Sequence, residues 1–131
     1  RHPSALVPFG RRMNARGREG EDIAAKYIEA QGGRILTRNH HVRGGEVDII
    51  FADGDTTVFC EVKLRTSARF GLPAEAVDTR KQRRICLAAM DYASRNKSVD
   101  EKYRFDIIAI YGGKISHIRN AFDYVAPAQR E

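Results

Sequence analysis

The stretch EVDIIFADGDTTVFCEVKL, residues 46–64, has the pattern of two apolar strands joined by a tight turn. The residues Asp53-Gly54-Asp55 separate the two apolar runs and favour a β-hairpin turn. Because strand side chains alternate between the faces of a sheet, Glu61 and Lys63 share one face. We expect the opposite face to pack on the core, and it carries Val58, Cys60, Val62 and Leu64.

The turn also predicts which residues of the hairpin face each other. A hairpin that turns at Gly54-Asp55 brings Asp48 directly opposite Glu61. Directly opposed residues have β-carbons about 4.5–5.5 Å apart. Two carboxylates at that distance in a buried sheet destabilise it unless positive charge offsets them. The alternative is an ordinary salt-bridged hairpin, in which Glu46 pairs with Lys63 and Asp48 pairs with an arginine such as Arg104.

Asp48 and Glu61 have the chemistry of a magnesium or manganese site, because these cations prefer carboxylate oxygens and retained waters. A divalent cation at that position polarises a phosphoryl oxygen and lowers the pKa of a bound water. Lys63 can then orient the water or stabilise the charge that develops during phosphodiester hydrolysis. The hairpin therefore predicts a site for metal-assisted phosphodiester hydrolysis.

The rest of the sequence predicts an α/β (α+β) fold in which helices flank a mixed β-sheet, in the order α-β-β-β-α-β-β. A first helix, about residues 16–31, ends at Gly32-Gly33. Its inward stripe includes Ala24 and Ile28, and the spacing places Glu21 on or beside that stripe. Glu21 is thus a third acid that points towards the sheet.

A second helix is expected from an N-cap at Asp78 or Thr79 to about Asn96. The long connection through this helix favours a strand at residues 104–111 that runs parallel to the strand at residues 57–64. The expected strands are residues 34–40, 46–52, 56–64, 104–111 and, at the edge of the sheet, 114–118.

The chain has 131 residues, which we divide into a basic N-terminal arm (1–14), a single domain (15–124) and a tail (125–131). No run approaches the roughly 20 apolar residues of a membrane span. The first residues lack the apolar core of a secretory signal, so we expect a cytoplasmic protein. In that compartment the two cysteines, Cys60 and Cys86, are expected to be buried thiols.

The net charge of +6 comes mostly from arginine, whose planar guanidinium matches phosphate oxygens. This favours a nucleic-acid partner, DNA rather than RNA. Each basic side chain near the hairpin can alternatively be an ordinary solvated residue. The candidate phosphate contacts are Arg65, Arg69, Arg80, Arg83 and Arg84.

Several motifs resemble the YraN-type family of uncharacterised bacterial proteins, from about Gly17 to Phe122. They are GREGEDIAAKYIEAQG, RNHHVRGGEVDII, VFCEVKLR, the K…RI of Lys81 to Ile85, RFDIIAI and HIRNAF. Asp48, followed by Glu61-Val62-Lys63, also resembles the PD-(D/E)xK nuclease superfamily, which includes restriction endonucleases. Val47 departs from the superfamily motif, which often has proline there.

The resemblance implies a restriction-endonuclease-like core and gives four residues their roles by position. Asp48 and Glu61 would be the metal carboxylates, and Lys63 the catalytic lysine. Glu21 would be the helical acid that holds a metal through water.

Three further residues are accessory candidates. Some family members carry another polar residue on the helix after the motif strand, and Lys81 and Gln82 are the candidates here. Glu46 is interpreted as a partner of Lys63 rather than as a metal ligand.

These expectations describe a nuclease that requires Mg²⁺ or Mn²⁺ and cuts DNA, with branched and single-stranded DNA among the candidate substrates. A cutter of duplexes or junctions would favour a two-fold homodimer. Two alternatives stay open. The chain can be a non-catalytic nucleic-acid-binding module that retains the nuclease fold, or an interaction protein that binds neither metal nor nucleic acid.

Overall fold

The structure is a computed structural model that describes residues 15–65, 77–96 and 102–126. Its elements confirm the predicted order α-β-β-β-α-β-β. The predicted arm at residues 1–14, Arg69 and residues 127–131 of the predicted tail lie outside the described residues. The elements are α1 (Ala15–Ala30), β1 (Arg34–Val42), β2 (Gly45–Asp53), β3 (Thr56–Leu64), α2 (Thr79–Arg95), β4 (Lys102–Tyr111) and β5 (Lys114–Ile118).

The five strands form one mixed sheet in the order β1-β2-β3-β4-β5. Strands β3 and β4 are parallel, as predicted, because the chain returns through α2 before it enters β4. The other neighbouring pairs are antiparallel, and β5 lies at an edge, also as predicted. The β2–β3 hairpin turns through Gly54 and Asp55, with Asp53 paired to Thr56.

Each face of the sheet is buried beneath one helix. The α1 face carries Ile49, Val58, Cys60, Ile108 and Ile110 against Ala24 and Ile28. The α2 face carries Val47, Ile50, Phe59, Phe105 and Ile107 against Ile85 and Ala88. A sheet covered on both sides explains why its central strands are nearly continuous apolar runs.

The second buried face corrects one expectation for VFCEVKLR. We expected only the alternate positions beginning at Val58 to face a core. Phe59 points the other way and is nevertheless 1% exposed, because α2 covers that face. Glu61 and Lys63 therefore follow a core residue along the same face of the strand.

Helix α2 approaches β2 at a glycine. A β-carbon on Gly45 would lie 2.4 Å from the backbone oxygen of Arg84 and 3.1 Å from the backbone nitrogen of Ala88. Only glycine permits so close an approach of two backbones. The contact brings the N-terminal half of α2, which follows the N-cap Asp78, against the start of β2.

Two smaller expectations are also resolved. Cys60 and Cys86 are free and buried, as predicted. Among the residues that the structure describes, neither helix is long and apolar enough to cross a membrane.

Candidate active site

From the turn to the Ile49–Cys60 pair the hairpin has the predicted register, whereas the predicted Asp48–Glu61 pair is not part of the backbone ladder. Backbone pairing of β2 with β3 extends as far as the Ile49–Cys60 pair, and the next residues are Asp48 and Glu61. At this point Oδ2 of Asp48 accepts a hydrogen bond of 2.8 Å from the backbone N–H of Val62. The Asp48 carboxylate thus takes the place of a backbone acceptor at the end of the ladder, beside Glu61.

Glu61 is 4% exposed, and its two carboxylate oxygens have different surroundings. Oε2 lies 3.5 Å from Nζ of Lys63 and 3.6 Å from Nζ of Lys81. Oε1 is buried and has no hydrogen-bond partner within the described parts of the chain. Burial and then the Asp48 charge raise the pKa of Glu61 to about 8, although both lysines oppose this. The two lysines therefore do not outweigh burial and the Asp48 charge.

The other two acids share this region. Burial raises the pKa of Asp48, in spite of the hydrogen bond from Val62. Glu21 on α1 is 3% exposed, which confirms its predicted inward position. Burial and then the Asp48 charge raise the pKa of Glu21 to about 6. The charge of Asp48 thus opposes the ionisation of both glutamates.

Lys81 is the residue of α2 that reaches these acids. Its Nζ donates to Oε2 of Glu46 at 3.1 Å and lies 3.6 Å from Oε2 of Glu61. Glu46 is also 3.4 Å from Nδ1 of His41. This corrects the expected pairing of Glu46 with Lys63, because Lys63 contacts Glu61 instead. Two ammonium groups, one from β3 and one from α2, therefore meet one oxygen of Glu61.

The Gln82 side chain is used at the N-terminus of α2 itself, where its Nε2 donates to the backbone oxygen of Val77 at 2.9 Å. Of the two accessory candidates on α2, the structure thus brings Lys81, rather than Gln82, to the acids. Arg65 follows β3 and donates its backbone N–H to Ile110. The exposed basic side chains near the start of α2 are Arg80, Arg83 and Arg84.

Two partners of Glu21, both on β1, were not predicted from the sequence. Nδ2 of Asn39 donates to Oε1 of Glu21 at 3.0 Å. Nη2 of Arg38 lies 3.4 Å from the same oxygen and donates to Oδ1 of Asp22 at 2.7 Å. A usable signal was present, because asparagine is depleted from strands and Asn39 lies in the middle of one.

Magnesium keeps several waters and is bound in proteins through as few as one or two carboxylates. Asp48 and the unmatched Oε1 of Glu61 fit that small requirement. No larger group is arranged in this way: within residues 15–65, 77–96 and 102–126, no three His, Cys, Asp or Glu side chains are placed to hold a metal ion.

Comparison with known proteins identifies the family. The sequence model described as "Uncharacterised protein family UPF0102" matches residues 20–110, which include every acid and lysine of the site. A UPF0102 protein of Geobacter sulfurreducens is 47% identical over 112 residues, which cover 82% of this chain and 88% of the relative. A UPF0102 protein of Rhodococcus opacus is 45% identical over 113 residues, which cover 82% of this chain and 96% of the relative. This chain therefore belongs to the UPF0102 family, the YraN-type family that its motifs resemble.

Proposed function

We propose that this protein is a divalent-metal-dependent nuclease that hydrolyses phosphodiester bonds in DNA. The observation that carries the proposal is the unmatched Oε1 of buried Glu61, next to Asp48 at the end of the hairpin ladder. We also propose that the mixed sheet and its two helices are a restriction-endonuclease-like core of the PD-(D/E)xK superfamily. The support for this is the order of the elements and the position of the two acids on adjacent strands.

In this proposal Asp48 and Glu61 hold Mg²⁺ or Mn²⁺, and Glu21 adds negative charge through a water. The cation, when bound, polarises a phosphoryl oxygen of the substrate. The bound cation would also lower the pKa values of the acids, because positive charge near a carboxylate favours its ionised form. The raised pKa values of Glu61 and Glu21 are thus what a site would show before such charge is supplied.

Lys63 and Lys81 have different roles in this proposal. The side chain of Lys63 is 32% exposed, so its ammonium can meet a substrate phosphate while it contacts Glu61. It can orient the attacking water and stabilise the charge that develops on the phosphate. Lys81 is held between Glu46 and Glu61, where it limits the repulsion between these acids.

The start of α2 supplies a surface for the nucleic-acid backbone. Its exposed arginines lie on the helix that carries Lys81, so a strand bound there would be close to the acids. Such contacts are with phosphates and release counterions, so binding should weaken steeply as salt rises. The arginines of this surface are Arg80, Arg83 and Arg84.

The test is a cleavage assay with purified protein on end-labelled single-stranded, duplex and four-way-junction DNA and on single-stranded RNA, with Mg²⁺ or Mn²⁺. We expect cleavage of DNA with either metal and none with EDTA. Glu61→Ala should reduce the rate on the order of 100-fold or more, since it removes a ligand of the cation that stabilises the reacting phosphate. Asp55→Ala is the control, because Asp55 is an exposed acid in the hairpin turn. Full cleavage by Glu61→Ala, or none by the wild-type protein on any substrate, would contradict the enzymatic proposal.

A second candidate is a nucleic-acid-binding module without catalysis. It is favoured by the position of Lys81, whose ammonium already lies between two acids at 3.1 and 3.6 Å. In that case calorimetry would detect no Mg²⁺ or Mn²⁺ binding, whereas DNA would bind in a salt-dependent way. Absence of both would favour the interaction protein.

A further inference from the structure

We infer that Asn39 positions Glu21 beside Asp48, and that its unusual backbone conformation serves this purpose. The inference rests on the proposed function, because it gives Glu21 its place in a site for a divalent cation. Asn39 would act through Glu21 and is therefore a positioning residue rather than a catalytic one.

The place of Asn39 in the sheet brings it to the site. Strand β1 pairs with β2 on both sides of this residue, at Arg38–Ile49 and at His40–Val47. Between these pairs, Asn39 lies across from Asp48. The third acid, Glu21, comes from α1, and its Oε1 accepts the hydrogen bond of Asn39. Asn39 thus joins the helical acid to the strand position of Asp48.

The backbone of Asn39 has a left-handed conformation in the middle of a strand, with φ of 56°. A strand residue normally has φ near −120° or below, and the left-handed region is sterically unfavourable for a non-glycine residue. Such a conformation persists only where surrounding contacts favour it, and asparagine tolerates it better than most residues. The 3.0 Å hydrogen bond to buried Glu21 is a contact of that kind.

The chemistry of the donor suits a positioning role. Arg38 also contacts Oε1 of Glu21, but at 3.4 Å and with a shorter bond of 2.7 Å to Asp22. The amide of Asn39 is neutral, so it orients the Glu21 carboxylate without cancelling its charge. A partner of this type leaves the acid available to a cation and sets its direction.

The first experiment tests positioning without any metal. Asn39→Gly removes the amide, and glycine accepts a positive φ without strain. Asn120→Gly is the matched control, because Asn120 is the other non-glycine residue of the described chain with positive φ, at 54°. Crystal structures of the metal-free variants should show the Glu21 carboxylate displaced from Asp48 in Asn39→Gly and unmoved in Asn120→Gly. An unmoved Glu21 in Asn39→Gly would overturn the inference.

The second experiment measures Mn²⁺ affinity by calorimetry. Loss of a residue that orients a metal ligand weakens metal binding about 10- to 100-fold, and we expect this of Asn39→Gly. In a Glu21→Gln background the same change should have no further effect, because it would act only through Glu21. Equal losses in both backgrounds would mean that Asn39 acts independently of Glu21, and would overturn the inference. If the wild-type protein binds no Mn²⁺, the proposed function fails, and the crystal structures alone decide the role of Asn39.

Discussion

Asp106 and Glu61 are buried acids on neighbouring strands, yet their surroundings are opposite. Asp106 is fully buried and accepts two hydrogen bonds of 2.9 Å from Arg104 and one of 2.9 Å from the backbone N–H of Asn120. Nε2 of His117 lies 2.8 Å from it. Glu61 has two lysines at 3.5 and 3.6 Å from one oxygen, and its other oxygen is buried and accepts no hydrogen bond from the described chain.

The difference appears in the direction of the two pKa shifts. Burial alone would raise the pKa of Asp106, but hydrogen bonds from His117 and Arg104 lower it below its usual value. Burial and the Asp48 charge raise the pKa of Glu61. Asp106 pairs with Cys60 across the β3–β4 ladder, so it faces α1, whereas Glu61 faces α2. The sheet therefore carries two kinds of buried acid. Asp106, on the α1 face, has its hydrogen bonds satisfied and stabilises the fold. Glu61, on the α2 face, has an oxygen without a hydrogen bond among the described residues and is suited to bind a ligand.

Of the substitutions that test this difference between the two acids, Asp106→Ala should destabilise the protein most. Asp106→Ala leaves the guanidinium of Arg104 without its buried partner and should lower the free energy of unfolding by about 3–5 kcal/mol. Urea denaturation followed by circular dichroism measures this loss. A loss below about 1 kcal/mol would mean that the Asp106 contacts do not stabilise the fold as the comparison requires.

Glu61→Gln, in contrast, should raise the free energy of unfolding relative to the wild-type protein at alkaline pH. An unfolded glutamate ionises near 4.5, whereas Glu61 in the folded protein stays protonated up to about 8. The folded protein thus binds more protons between these values, so wild-type stability falls as pH rises from 4.5 to 8. Glu61→Gln lacks this contribution.

The measurement is urea denaturation of both proteins at pH 5 and pH 8. From pH 5 to pH 8, the stability of Glu61→Gln relative to wild type should rise by on the order of a few kcal/mol, because unfolding of the wild-type protein releases the Glu61 proton in this range and the glutamine amide does not titrate. Glu21 lowers the stability of both proteins as the pH rises to about 6, so it does not contribute to the difference between them. If the difference in the free energy of unfolding between wild type and Glu61→Gln does not change with pH, the Glu61 carboxylate is as well satisfied by its contacts as that of Asp106.

The smallest predicted effect concerns the lysines. Lys81→Met should cost about 1 kcal/mol at pH 7, because Lys81 is 25% exposed and its ammonium forms a hydrogen-bonded ion pair with Glu46. Lys102→Met is the matched control, since its ion pair with Asp55 has both side chains more than 60% exposed. That exposed pair should contribute close to nothing. Thermal denaturation at low and high salt separates the two, and equal losses would contradict the special position of Lys81.

Two features of the site could be predicted because they depend on residues close together in the sequence. The hairpin register follows from the residues around Gly54, and the inward position of Glu21 follows from its spacing to Ile28. The contacts of Lys81 and Asn39 could not be derived in the same way, because they join elements that lie far apart in the chain. The predicted partner of Glu46 was wrong for this reason. Pairing within the hairpin suggested Lys63, whereas the approach of α2 brings Lys81 to Glu46.

The close approach of α2 to β2 at Gly45 limits which substitutions the site can tolerate. A β-carbon there would be about 1 Å too close to the oxygen of Arg84, measured against an ordinary contact of 3.4 Å. Since two backbones meet at this point, the helix would have to move as a body. Lys81 lies three residues before Arg84, so a displacement of the helix would carry its ammonium away from Glu46. A methyl group at residue 45 can therefore change the charge balance around Glu61 without touching any ionisable side chain.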